Sequence, residues 1–243
     1  MRYQFKQIIF SAILCCISGV AISQEQPSLR DRADEPYKRY EYSNAVPLYL
    51  KLADSRRPRL SDLEHLANSY VQMNDYEAAE NWYARVIQHE DSDPENLIRY
   101  GEVLKTNGKY AEAKKQLQAY AAATGNADRV ALALAGCDSA MVWMANPTLH
   151  KLRNEEINTP LSEFSAFPIG EQVYYAGEPG GVTRSMDTYG WTGNSFLRVY
   201  TANRSLDNTL SDAAMVAGDI NEGQFHVGPV AAPRGIASAA PEQ

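Results

Sequence analysis

Cysteine is nearly absent from this 243-residue chain, and what little there is cannot pair. Cys15 and Cys16 fall inside an apolar N-terminal run, which leaves Cys137 alone in the remainder. A lone thiol forms no internal disulfide, so packing must supply the stability. Cys137 itself has no His or basic neighbour in sequence and reads as a buried packing residue. Basic excess is also missing. The formal net charge is -7 at pH 7, which argues against a nucleic-acid partner. No apolar run after the N-terminal one is long enough for a bilayer crossing, so no transmembrane helix is expected. His65, His89, His150 and His226 are scattered, with no metal-ligand spacing among them. His65 and His89 read as exposed helix residues, and His226 as a hydrogen-bond partner holding a turn. There is no Gly-x-Ser-x-Gly elbow, and the glycine-bearing stretch 177–181 lacks the ending of a phosphate loop. Glu155 and Glu156 are adjacent and cannot face one another across a substrate. These absences leave no catalytic residue, metal site or cofactor to nominate, and a non-enzymatic role is expected.

What is present begins with a leader. Arg2 and Lys6 precede an apolar stretch from Ile8 to Ile22, and Ala21-Ile22-Ser23 offers small residues for cleavage before Gln24. Residues 1–23 are therefore expected to be a secretory signal peptide, and the chain to be exported. An uncleaved anchor would need a longer run. Cys15 and Cys16 lack the Leu-small-small approach of a lipid-anchored cysteine.

Internal periodicity decides the first half. Shifted by 34 residues, Leu63 falls on Leu97, Leu66 on Tyr100, Ala67 on Gly101 and Tyr70 on Leu104. Tyr76 then falls on Tyr110, Ala79 on Ala113, Tyr83 on Leu117 and Val86 on Tyr120. Leu63, Leu66 and Tyr70 make the apolar stripe of a first helix, and the small Ala67 and Gly101 let a second helix cross closely. Asn74-Asp75 and Asn107-Gly108 are turn formers, with Gly108 able to take a left-handed conformation. Pro94 suits the start of the next helix. One period earlier, Ala33, Tyr42, Ala45, Tyr49 and Leu52 fit the same template without a glycine-bearing turn. After Asp128, the residues Val130, Leu134, Cys137, Met141 and Met144 form one stripe with no second helix behind it, as expected of a capping helix. This period and residue pattern resemble the tetratricopeptide repeat.

Asn146-Pro147 ends the helical half, and short alternating runs follow. Gln172 to Ala176 and Phe196 to Thr201 are the best strand candidates, with Gly180-Gly181 and Gly193-Asn194 at turns between them. The runs 154–158, 162–170 and 173–177, then 189–193, 197–200 and 221–230, with Cys137-Asp138-Ser-Ala140 and Trp143 before them, are similar to another family. It comprises Bacteroidetes outer-membrane-associated proteins in which tetratricopeptide repeats precede a WD-like β-propeller. In full-length members a peptidoglycan-binding domain like that of outer-membrane protein A follows, and some members serve type IX secretion.

The resemblance implies an α+β chain in separate domains. About three repeats plus a capping helix at 27–145 would form a helical array. A partial antiparallel β-propeller segment, less than a whole propeller, would follow at 150–230, and 231–243 would be a disordered or aberrant tail with two prolines and no strand pattern. Such a chain would sit on the periplasmic side of the outer membrane. It would reach peptidoglycan only through the further domain, which is missing from this sequence as if the reading frame were truncated. Envelope proteins are the expected partners, through the groove of the repeats. There Asn68 takes the place of a carboxylate-clamp asparagine, Glu64 stands where the clamp lysine would be, and Arg99 faces the same side. The reversed charge argues against carboxylate capture, so Asn68 and Arg99 are the groove candidates for other protein contacts. A periplasmic binding or enzymatic propeller, and a gene remnant without independent function, are the alternatives.

Overall fold

The computed structural model describes residues 26–180 and 188–231. The expected secretory segment, Gly181 and all but the first residue of the expected tail lie outside the described residues.

Among the described residues seven α-helices come first: α1 (Leu29–Lys38), α2 (Tyr42–Ala53), α3 (Leu60–Gln72), α4 (Tyr76–Val86), α5 (Glu95–Thr106), α6 (Tyr110–Thr124) and α7 (Ala131–Ala145). They pair as helix–turn–helix units, and the 34-residue period is visible residue by residue. Tyr42, Tyr76 and Tyr110 each open a second helix, and Ala45, Ala79 and Ala113 are each fully buried one turn later. The left-handed turn residues Tyr40, Asn74 and Gly108 have φ of 62°, 62° and 73° at the same spacing. The turn that carried no glycine thus has the same backbone, at a strain a bulky side chain ordinarily avoids. Gly101 is small for the reason expected: a Cβ there would lie 3.1 Å from Leu117 of the crossing helix α6. Two apolar clusters run through the array. One joins α1 to α5 around Tyr49, Leu66 and Val86, and the other joins α5 to α7 around Leu104, Leu117 and Cys137.

The capping expectation for α7 is corrected in part. Val130, in the short 3-10 turn Asp128–Val130, and Cys137 are buried against α6, and Lys114 binds Asp138 across the pair at 2.6 Å. Met144, however, is 68% exposed, beside Trp143 and Val142. A solvating cap presents a polar outer face. The outer face of α7 is apolar, with Leu132, Val142, Trp143 and Met144 all exposed.

A four-stranded antiparallel sheet follows in the order β1-β2-β3-β4, with β1 (Glu163–Ile169), β2 (Gln172–Gly177), β3 (Arg198–Arg204) and β4 (Leu210–Met215). The two central strands hold its core, with Val173, Tyr175, Ala176, Val199 and Ala202 buried. Tyr175 and Tyr200 are direct cross-strand partners and stack at 5.5 Å. The outer strands β1 and β4 are largely exposed, so the sheet is open and small. The segment 219–228 braces β3. Asn221 accepts from the Val199 amide at 2.8 Å and donates to the Val199 and Val216 carbonyls, and the Leu197 amide donates to His226 Nδ1 at 3.1 Å. Holding that turn was the role expected of His226.

Candidate functional site

A hydrogen-bonded polar cluster lies between α1, α2 and α3. In the first repeat, Tyr49 of α2 sits between Asp34 of α1 and His65 of α3. Its hydroxyl is 2.6 Å from Asp34 Oδ1 and 2.9 Å from His65 Nδ1. A carboxylate can only accept, so the phenol proton goes to Asp34 and His65 donates through Nδ1. Tyr37 of α1 lies over this pair, stacked on the His65 ring at 4.2 Å, and its hydroxyl accepts from Asn68 Nδ2 at 2.9 Å. Burial and the Asp34 contact push the Tyr49 phenol far up from its ordinary value, so it stays protonated.

His65 is therefore not the exposed helix residue expected from the sequence. Position 65 lies on the groove face because its counterpart one period on is Arg99. Its polarity alone suggested solvent. Burial lowers its pKa, opposed mainly by Asp34. The unfolded chain takes the proton first, so the stability held by the neutral imidazole is complete above the ordinary value near 6.5 and is lost as pH falls below it toward the lower folded value. A His65→Asn variant should lose less stability than the wild type between pH ~7 and ~5.5, read as the difference in their urea midpoints.

The same arrangement recurs one period later with different residues. Asp34, Tyr49 and His65 become Asn68, Tyr83 and Arg99. The two candidates nominated from the sequence are thus brought together. Asn68 of α3, Tyr83 of α4 and Arg99 of α5 line one cavity of about 330 Å³, together with Val71, Tyr76 and Glu102. Burial pushes the Tyr83 phenol up to about 12, and the nearby Arg99 charge opposes that rise. Glu64 is occupied elsewhere, accepting from Asn96 Nδ2 at 2.7 Å. The clamp position thus carries a carboxylate already committed to an inter-repeat contact.

Residues 70–137 match the tetratricopeptide repeat family. No curated protein matches the chain. The matched tetratricopeptide segment runs from the end of α3 through Cys137 of α7 and includes most of the cavity wall. Repeats of this family point to protein–protein interaction. The first repeat lies outside the match, and it is the one with tyrosine in place of Asn or Gly at its left-handed turn. No helix among the described residues is long and apolar enough to cross a membrane. Among the same residues, no group of three or more His, Cys, Asp or Glu is placed to hold a metal ion.

Two further sets of contacts were not foreseen. Successive repeats are linked at equivalent positions: Arg30 to Asp62, then Glu64 to Asn96, and then Ile98 and Val130 in one apolar cluster. The repeat array also meets the β half through residues 188–195, a small hairpin within the long β2–β3 connection. Trp191 Nε1 donates to the Gln72 carbonyl at the end of α3 at 2.7 Å, and Ser43 of α2 bonds the Gly190 carbonyl at 2.7 Å. A Cβ on Gly190 would lie 3.0 Å from the Glu41 side chain, which would have to shift by a few tenths of an ångström to admit it. The tandem pairs follow from the period once the first is known. The hairpin contact, by contrast, spans 119 residues and leaves no local pattern.

Proposed function

We propose that this protein is a non-enzymatic scaffold that holds partner proteins on the face shared by α3, α4 and α5, on the periplasmic side of the outer membrane. The observation that carries the partner-holding part is the cavity lined by Asn68, Tyr83 and Arg99 within the tetratricopeptide segment. It joins a cation, a carboxamide and aromatic faces, the mixture that protein interfaces concentrate at their anchor points. The envelope assignment is supported by the leader pattern of residues 1–23 and by the family resemblance. The β half is proposed to be blade-like, since its four strands follow one another in space as they do in a propeller blade. A link to peptidoglycan or type IX secretion is proposed as it stands in full-length members of the resembled family.

The test uses immobilised full chain as bait in envelope extracts, beside an Arg99→Glu variant of unchanged melting temperature. Specific envelope proteins should be retained by the wild type and lost from the variant. Equal recovery on both would remove this face as the binding site. Fractionation of cells expressing the tagged chain checks export, and a chain retained in the cytoplasm would overturn the location.

A further inference from the structure

The ring of Tyr37 is met by Tyr42 and Tyr49 of its own repeat and by His65 and Asn68 of the next first helix, α3. Tyr42 and Tyr49 meet it edge-on at 5.6 Å and 5.8 Å, His65 stacks on it at 4.2 Å, and Asn68 donates to its hydroxyl at 2.9 Å. One period on, those neighbours are Tyr76, Tyr83, Arg99 and Glu102, and all four line the 330 Å³ cavity. The residue that replaces Tyr37 is Val71, which also lines the cavity and is far too short to fill a phenol's place. The second repeat therefore keeps the walls of a tyrosine site and lacks the tyrosine.

We propose that this cavity binds a tyrosine side chain presented by a partner polypeptide, in the place that Tyr37 fills in the preceding repeat. The proposal rests on the partner-binding role of this face and names the chemistry recognised there. The guest ring lies against the Arg99 guanidinium as Tyr37 lies against His65, an arrangement that planar, weakly hydrated guanidinium groups favour. Tyr76 and Tyr83 present their rings as Tyr42 and Tyr49 do. The polar end differs in one informative way. Asn68 donates to Tyr37, but Glu102 can only accept, so the guest must bring a hydroxyl proton. Both Glu102 oxygens already accept from Lys105, at 3.0 Å and 2.8 Å, and a carboxylate has lone pairs for one more donor. Tyrosine meets the requirement. Phenylalanine leaves Glu102 without the added bond, and phosphotyrosine sets a dianion against a carboxylate.

Short blocked peptides with a central tyrosine, phenylalanine, phosphotyrosine or alanine are titrated into the full chain, following the methyl NMR signals of Val71, Ile98 and Val103. The tyrosine peptide should shift those methyls and bind several-fold tighter than the phenylalanine peptide, with the alanine and phosphotyrosine peptides weaker still. The decisive variant is Val71→Tyr, which restores the chain's own ring. It should keep or raise the melting temperature and lower affinity for the tyrosine peptide at least tenfold. Equal binding of tyrosine and alanine peptides, tighter binding of the phosphopeptide, or full binding by a folded Val71→Tyr variant would each overturn the proposal. An envelope protein lost by Arg99→Glu but still captured by Val71→Tyr would leave the partner-binding face standing and sink the tyrosine site alone.

Discussion

An Arg30→Ala variant should lose about 3 kcal/mol of stability, nearly all of which an Arg30→Ile/Asp62→Val double variant should recover. The Arg30 guanidinium grips Asp62 with two bonds, Nε to Oδ1 at 2.8 Å and Nη2 to Oδ2 at 2.7 Å. Asp62 is 2% exposed, while Arg30 is 30% exposed. Truncating Arg30 strands a carboxylate inside the α1–α3 contact, and that is costlier than the pair was favourable. Because Arg30 is partly hydrated, the loss belongs at the lower end of the range for broken buried pairs. The double variant follows a substitution that the chain has already made. Position 30 recurs as Glu64 and then Ile98, and position 62 recurs as Asn96 and then Val130. The contact thus passes from an ion pair, through one hydrogen bond that leaves Asn96 Oδ1 without a partner, to apolar packing. The same backbone tolerates all three chemistries. Urea unfolding of the full chain checks this. A single variant within about 0.5 kcal/mol of wild type, or a double variant as weak as the single, would contradict it.

That gradient also shows where sequence pattern stops being informative. The positions that set the repeat were legible because their demands are steric and identical in every unit: Ala45, Ala79 and Ala113 all face a crossing helix. Gly101 was legible for the same reason. Positions 30, 64 and 98 share a geometry but not a chemistry, so shifting the sequence by one period hides their kinship. His65 was misjudged on similar grounds, since a single polar residue on a helix is ordinarily solvated and only its Tyr49 and Asp34 partners, from two other helices, say otherwise. Asn68 and Arg99 came out together because both lie on the first-helix face that the period defines. The meaning of their neighbour Val71 depended on seeing Tyr37 folded. The sheet was legible in its central strands, where Val and Tyr mark short β-prone runs. Its small, open form depends on edges that alternation does not describe.

Trp191→Ala should release the β half from the helices while leaving the repeat array folded. The indole lies edge-on to Tyr42 at 5.2 Å and stacked on Tyr40 at 5.9 Å, and it supplies a donor to one of the last carbonyls of α3, which lack helical partners. Truncation of a half-buried tryptophan with one hydrogen bond should cost about 2–3 kcal/mol at this contact. Tyr40 pays a left-handed backbone there, about 1–2 kcal/mol for a bulky residue, and the stacked indole is the compensating contact. Removing Trp191 therefore leaves Tyr40 strained and 188–195 without its main anchor. Protease sites in 146–162 and 188–197 should be cut faster, and the Ser43 amide, which donates to Gly190, should lose its protection from hydrogen exchange. Amides inside α4 to α6 should exchange as in the wild type. Trp191→Phe should fall between the two, keeping the ring stack and losing only the bond to Gln72. Unchanged protection at Ser43 in Trp191→Ala would mean that the two halves are held by something other than this hairpin. Loss of protection throughout α4 to α6 would mean that the array depends on the sheet. With β1 and β4 exposed and a core of two strands, the sheet has few contacts of its own to lean on, so its order should depend on this contact far more than the order of the repeats does.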